Sequence, residues 1–290
     1  MRSQMATERV DHAVTVDGVS LLFETRGAGL PVYVCHGGPS TTYGYLADDL
    51  QPLESSMQLV FHDYRGSGGS AAAPRDSYTF SQLANDLDQI RAHLGHDNIS
   101  LLAHSMGGFV ALSYAIRFPG RCTRLCLLDV SPTGKASKMM WPTLRAAGSL
   151  RIARMIARGL WYGMAWSWRR ETNAKKQARY APMAVLQEGR PEFRSEIRAR
   201  GERFLVQNDN ASALERLGFS TDLTSELGGV TMPVRVIVGS RDAAFVAGAE
   251  LLRRGMPHVD VSVLNGVGHE PLVEARDETL SMIRDFLTAV

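Results

Sequence analysis

The sequence predicts an α/β fold, a mostly parallel sheet with helices on both faces. Two observations carry this. Short apolar runs alternate with segments of helical period over both ends of the chain, and the runs are apolar on both sides, as strands covered on both faces must be. The first pair of runs is different. AVTV (13–16) and VSLLFETR (19–26) flank Asp17-Gly18, a pair suited to a two-residue hairpin turn. After the breaker GAGLP, VYVCH (32–36) precedes a helix near 43–54, and MQLVFHD (57–63) precedes one near 79–95. In that second helix Leu83, Leu87, Ile90 and Leu94 share one face. NISLLAH (98–104) runs into a helix ending at Phe118-Pro119, and CTRLCLLDV (122–130) closes the first half. VRVIVG (234–239), a helix near 243–255, VDVSVLN (259–265) and a last helix carrying Leu280, Ile283 and Leu287 follow.

The alternation breaks over residues 131–222, which read as helix after helix without a convincing strand. Ile152, Met155, Ile156 and Leu160 form one apolar stripe there. Charge changes too: this stretch holds 17 Lys and Arg against 8 Asp and Glu, in a chain whose net charge is only +2. The division expected is therefore a core of residues 1–130 and 223–290 and a helical cap of residues 131–222. Trp141, Trp161, Trp166 and Trp168 all lie in the cap, with Met139, Met140, Met155 and Met164 among them. Packing between cap helices accounts for such a cluster; so does an aromatic wall for a bulky apolar substrate. The arginine excess reads as a solvated face, or as a site for an anionic group.

Composition narrows the function classes. With 290 residues, 44% apolar and 21% charged, the chain has material for a large core. Near-neutral charge argues against a nucleic-acid partner. The absence of a long apolar run argues against a membrane span, and the polar N-terminus MRSQMATERVDHA does not resemble a signal peptide. A cytoplasmic protein acting on a small molecule is the expectation. Cys35, Cys122 and Cys126 fall in or beside strand-like runs and read as buried thiols. Eight histidines without metal-ligand spacing predict no metal, and nothing points to a cofactor.

Chemistry concentrates in three segments. In LLAHSMGG (101–108) a strand ends, Ser105 follows between small residues two positions either side, and a helix begins at once. A serine on so sharp a turn is held in a strained backbone that lifts its hydroxyl above the sheet edge. The helix that follows aims N–H groups at developing negative charge. Taken alone, the segment also fits a serine that merely caps a helix. Downstream, VRVIVGSRD puts Asp242 just past a strand, and VDVSVLNGVGHEP puts His269 just past the next. Serine, acid and histidine in that order on loops after strands are the parts of a nucleophile–base–acid triad. Asp129, at the strand end in LLDVSP, is the reserve acid. In VCHGGPS (34–40), Gly38 is the favoured oxyanion donor together with Met106, while His36 reads as a structural hydrogen-bonder. His104 has no independent case for a role.

HGGP (36–39), DYRGSGGS (63–70), AHSMGG (103–108), GSRD (239–242) and GVGHEP (266–271) together resemble the α/β-hydrolase superfamily, in order and over essentially the whole chain. The resemblance implies an eight-stranded, mostly parallel sheet with a helical cap, and Ser105, Asp242 and His269 as triad. It also implies that DYRG (63–66) forms a structural turn near the site. Serine at 105 points away from the epoxide-hydrolase and haloalkane-dehalogenase branches, which use aspartate. HGGP followed by DYRGSG is partly similar to proline iminopeptidases, whose pattern reads HGGPG; Ser40 departs from it. Those enzymes hold a free amine with cap carboxylates, which suits a cap of net positive charge poorly, though one buried residue such as Glu171 would serve. The expectation is a serine hydrolase of an ester, lactone, thioester or amide with a bulky apolar part. The alternatives are an aminopeptidase of the proline-iminopeptidase kind, a non-hydrolytic transferase, lyase or cyclase on the same scaffold, and a ligand receptor. Oligomeric state is not legible.

Overall fold

The computed structural model describes residues 10–38, 41–135, 137–139, 141, 145, 189–204 and 211–289. Eight strands form one sheet in the order β1-β2-β4-β3-β5-β6-β7-β8. These are β1 (Val10–Val16), β2 (Val19–Arg26), β3 (Leu30–Cys35), β4 (Met57–His62), β5 (Ile99–His104), β6 (Cys122–Leu128), β7 (Val234–Gly239) and β8 (Val259–Leu264). β1 and β2 form the expected antiparallel hairpin, and β2 also pairs antiparallel with β4. All other neighbours are parallel. Asp17 and Gly18 both take positive φ in the hairpin turn.

Strand side chains divide by parity. Tyr33, Cys35, Leu101, Ala103, Leu125 and Leu127 enter one buried cluster, and Val32, Val34, Leu102, Cys126 and Leu128 enter the other. On the first face lie α2 (Phe80–His93), α3 (Gly107–Arg117) and a later helix, Ala243–Gly255, which become contiguous through Leu83, Leu87, Val110, Tyr114 and Leu252. On the second face lie α1 (Gly44–Leu50) and the C-terminal helix, Arg276–Leu287, through Leu46, Leu50, Leu280, Ile283 and Leu287. α2 starts where Thr79 accepts the Gln82 N–H with its side chain (3.1 Å), and it ends with Arg91 and His93 in its last turn. The helix expected over 43–54 is shorter. It stops at Leu50 and passes into a 3₁₀ turn, Gln51–Leu53, because Pro52 has no N–H to donate. The three cysteines are free and buried; burial pushes the Cys122 and Cys126 thiols up to about 12.

After β6 the chain leaves the sheet through a backbone clasp. Thr133 and Asp222 form an isolated antiparallel bridge, Gly134 N–H donates to Thr221 O (3.0 Å), and Leu223 N–H donates to Pro132 O (2.9 Å). Of the intervening stretch, α4 (Arg194–Arg203) and α5 (Ala211–Ser220) are described. The chain then returns to β7, α6 (Ala243–Gly255), β8, the short α7 (Pro271–Glu274) and α8 (Arg276–Leu287). No helix among the described residues is long and apolar enough to cross a membrane.

Candidate active site

The C-terminal ends of β3, β5, β6, β7 and β8 bring their loops to one edge of the sheet, where parallel α/β sheets place ligand sites. Ser105 stands between β5 and α3 with φ +54°, a left-handed conformation that a residue with a Cβ rarely adopts. Its N–H is held by Leu128 O (3.0 Å) and its carbonyl accepts the Gly108 N–H (3.0 Å), so β6 and α3 together fix the turn. Gly107 explains the small residue two positions on. A Cβ there would lie 2.2 Å from Cys35 O and 2.6 Å from His36 O, so only glycine lets α3 close against the end of β3.

Three predicted residues meet. The Ser105 hydroxyl donates to His269 Nε2 (3.0 Å), and His269 Nδ1–H donates to Asp242 Oδ2 (2.5 Å). Asp242 is fully buried, and Phe245, from the first turn of α6, packs on the imidazole with ring centroids 4.6 Å apart. Burial works against the imidazolium, but the charge of Asp242 and its hydrogen bond outweigh it and raise His269 to about 9.

The loop after β3 is ordered by a relay the sequence did not reveal. Gly37 N–H donates to the Tyr45 hydroxyl (2.7 Å), which donates to His104 Nδ1 (2.6 Å). His104 Nε2–H donates in turn to the His269 carbonyl (3.0 Å). Burial lowers His104 to about 4, so it is neutral, and its two nitrogens have distinct roles. The Gly37 amide is therefore engaged, whereas Gly38 N–H and Met106 N–H carry no hydrogen bond to any described residue. His36 is buried with its Nδ1–H on Gly37 O (2.9 Å) and its ring stacked on Tyr64 at 4.2 Å, the structural role expected of it. His104, Asp129 and His269 each bring one ligand-type atom within 4.8 Å of the others. Both ring nitrogens of both histidines are hydrogen-bonded.

Asp63 and Arg65 anchor the turn after β4. Asp63 Oδ1 accepts Tyr43 N–H (3.1 Å) and Oδ2 accepts Gly69 N–H (2.9 Å). Arg65 forms a buried bidentate pair with Asp86 (2.5 and 2.6 Å).

A cavity opens above Ser105 and His269. Its walls include Gly38, Tyr45 and Glu270 at the sheet edge, and Ile197, Arg200 and Gly201 of α4 with Phe204 just past its end. Residues 197, 200, 201 and 204 have the spacing of one helix face, a pattern present in the sequence but obscured by its mixed chemistry. Arg200 lies over the Tyr45 ring and bonds Asp49 and the Tyr45 carbonyl. An aromatic wall is one of the two readings of the tryptophan cluster. Trp141 is 64% exposed and is not among the described residues lining the cavity, because its side chain stands towards solvent. Trp161, Trp166, Trp168 and Glu171 lie outside the described residues.

Comparison with known proteins gives the family. A profile described as alpha/beta hydrolase fold matches residues 31–275. The chain belongs to the α/β-hydrolase family. It is 26% identical over 289 residues to a cis-3-alkyl-4-alkyloxetan-2-one decarboxylase of Shewanella oneidensis, covering 96% of this chain and 88% of that protein. It is 29% identical over 128 residues to a soluble epoxide hydrolase of a Corynebacterium species, where the match spans only 44% of either chain. Among solved structures, a proline iminopeptidase-related protein of Thermus thermophilus superposes with a TM-score of 0.75 at 26% identity, covering 97% of this chain and 98% of that one.

Proposed function

We propose that the protein is a serine hydrolase that cleaves a carbonyl ester, lactone, thioester or amide through an acyl-enzyme. The observation that carries this reading is the continuous set of hydrogen bonds Ser105–His269–Asp242 at the floor of an open cavity. Ser105 Oγ attacks the carbonyl carbon while its proton passes to His269 Nε2. His269 then gives that proton to the leaving group, and Asp242 stabilises the imidazolium and keeps Nδ1 protonated. Gly38 N–H and Met106 N–H receive the oxyanion, helped by the N-terminus of α3; the engagement of Gly37 by Tyr45 supports Gly38 over its neighbour. Water activated by the same histidine releases the acyl group. We read residues 131–222 as a cap over this edge, supported by the backbone clasp at Thr133 and Asp222 and by the reach of α4 to the cavity. Ile197 and Phe204 then supply the apolar surface for the acyl or ring portion of a substrate.

The decarboxylase and epoxide-hydrolase relatives show that this scaffold hosts other reactions. A seryl nucleophile with a complete proton path favours acyl transfer to water. The aminopeptidase reading keeps one observation in its favour, the carboxylate of Glu270 on the cavity wall, against the nearby cation of Arg200.

A fluorophosphonate probe tests the proposal. Attack by Ser105 forms an O–P bond, expels fluoride and passes the serine proton to His269, giving one adduct that peptide mapping places on Ser105. Ser105→Ala abolishes it. Labelling elsewhere, or none in a folded sample, rejects the nucleophile. Parallel turnover of p-nitrophenyl esters and prolyl-β-naphthylamide separates the ester from the aminopeptidase reading.

A further inference from the structure

Resting on the triad reading above, we propose that Asp129 is a second positioning acid for His269, able to orient the imidazole when Asp242 is neutralised. Asp129 follows β6 directly and is fully buried with φ +45°, strained backbone for a residue with a Cβ. Two bonds hold it there: its N–H donates to Ile237 O (2.9 Å), and its Oδ1 accepts Gly239 N–H (3.0 Å). The Gly239 carbonyl accepts the Asp242 N–H (3.0 Å), so a single residue ties both acids to the end of β7. Asp129 Oδ2 and Asp242 Oδ1 are both buried without a hydrogen-bond partner among the described residues.

Two carboxylates beside one imidazole in a buried site cannot both be ionised at modest cost; one keeps a proton. Asp242 carries the short bond to His269, so the imidazole partners Asp242 rather than Asp129. Asp129 has one carboxyl oxygen within 4.8 Å of a His269 ring nitrogen. The groups facing it from the packed elements are His104 at the end of β5, Asp242 on the loop after β7, and His269 and Glu270 on the loop after β8. Burial first, and then the charge of Asp242, hold Asp129 well above the ordinary carboxylate range. Replacing Asp242 by a neutral residue removes that second cause while burial, the first, remains, so Asp129 gives up its proton as the pH rises and leaves a carboxylate beside the histidine.

The test is the rate of fluorophosphonate labelling of Ser105 in the full chain, with p-nitrophenyl acetate hydrolysis as a second readout. In a triad with one acid, converting it to the amide costs about 10⁴-fold; with Asp129 able to act, Asp242→Asn loses no more than about 100-fold. Asp129→Asn alone stays within about threefold at neutral pH and leaves the acid limb of the pH profile in place, because a neutral group has been exchanged for a neutral one. Asp129→Asn with Asp242→Asn falls to the ~10⁴-fold level, a non-additive pair. The Asp242→Asn rate rises with pH along a limb that the double variant lacks. A full loss in Asp242→Asn, a double variant no worse than it, or an acid limb that moves to lower pH in Asp129→Asn overturns the proposal. Asparagine keeps an acceptor for the Gly239 N–H; if Asp129→Asn still fails to fold, the size of the Asp242→Asn loss and its pH limb decide. Wild-type labelling at Ser105 that disappears with Ser105→Ala, combined with any overturning pattern, leaves the triad reading standing. Absence of wild-type labelling removes the triad reading itself.

Discussion

Three non-glycine residues among those described carry positive φ, and two of them, Ser105 and Asp129, lie at strand ends beside His269. The strain raises Ser105 Oγ to within 3.0 Å of His269 Nε2, a distance that an unstrained helix-capping serine has no reason to keep. In the proposed mechanism His269 acts as a base only when its Nε2 is unprotonated. Its pKa is raised from 6.5 to about 9, so the neutral form gains as pH rises through that window, and activity rises with it. The expected kcat/KM for p-nitrophenyl acetate therefore climbs between about pH 7 and 9 and flattens above. An acid limb at or below 6.5 would mean that the Asp242 charge does not govern the imidazole. His104 behaves oppositely: burial with neutral partners lowers it to about 4, and it stays a fixed donor–acceptor link over the same range.

Elements matter through the loops they hold at the sheet edge. The turn after β4 is the best anchored, since Asp63 accepts two backbone N–H groups and Arg65 is locked on Asp86 of α2. Both members of that ion pair are buried, so removing one leaves an uncompensated charge in the interior. Asp86→Ala is expected to cost about 3–5 kcal/mol of stability, read as a lowered urea midpoint with an unchanged slope. A loss under about 1 kcal/mol would mean that water reaches Arg65 in the folded state. β7 and β8 are as closely constrained as this turn. A Cβ on Gly239 would stand 2.1 Å from Gly268 O, so the loop bearing Asp242 and the loop bearing His269 pack backbone to backbone.

At the scale of the whole molecule, the sheet and its loops carry the proposed nucleophile, base and acid, while the segment between the two halves of the clasp contributes to the cavity wall. Phe204 packs against the second core cluster beside Gly44 and lines the cavity. On the proposed reading, truncating it removes apolar contact from substrates long enough to reach it and leaves the chemistry at Ser105 untouched. Phe204→Ala should lower kcat/KM for octanoyl p-nitrophenyl ester by about tenfold more than for the acetyl ester, close to 1.4 kcal/mol of lost contact. Equal losses for both esters would place the ring in packing alone.

Sheet, hairpin and the strained turn at Ser105 are legible in the chain itself, because each rests on local chemistry. Asp17-Gly18 suits its turn, two-sided apolar runs suit parallel strands, and Gly107 is the residue that close approach to β3 demands. Serine, acid and histidine were readable from their order after successive strands, since parallel strands deliver their ends to one edge whatever lies between them. The cavity wall was not readable. Charge and aromatic content directed attention to Trp141, whereas Ile197, Arg200 and Phe204 reach the site through the docking of α4, a contact between segments more than 90 residues apart in the chain. The Tyr45–His104 relay and the Asp129–Asp242 pair escaped for the same reason. A lone histidine or aspartate at a strand end acquires a role only from the partners that packing sets against it, and those partners leave no local pattern in the chain.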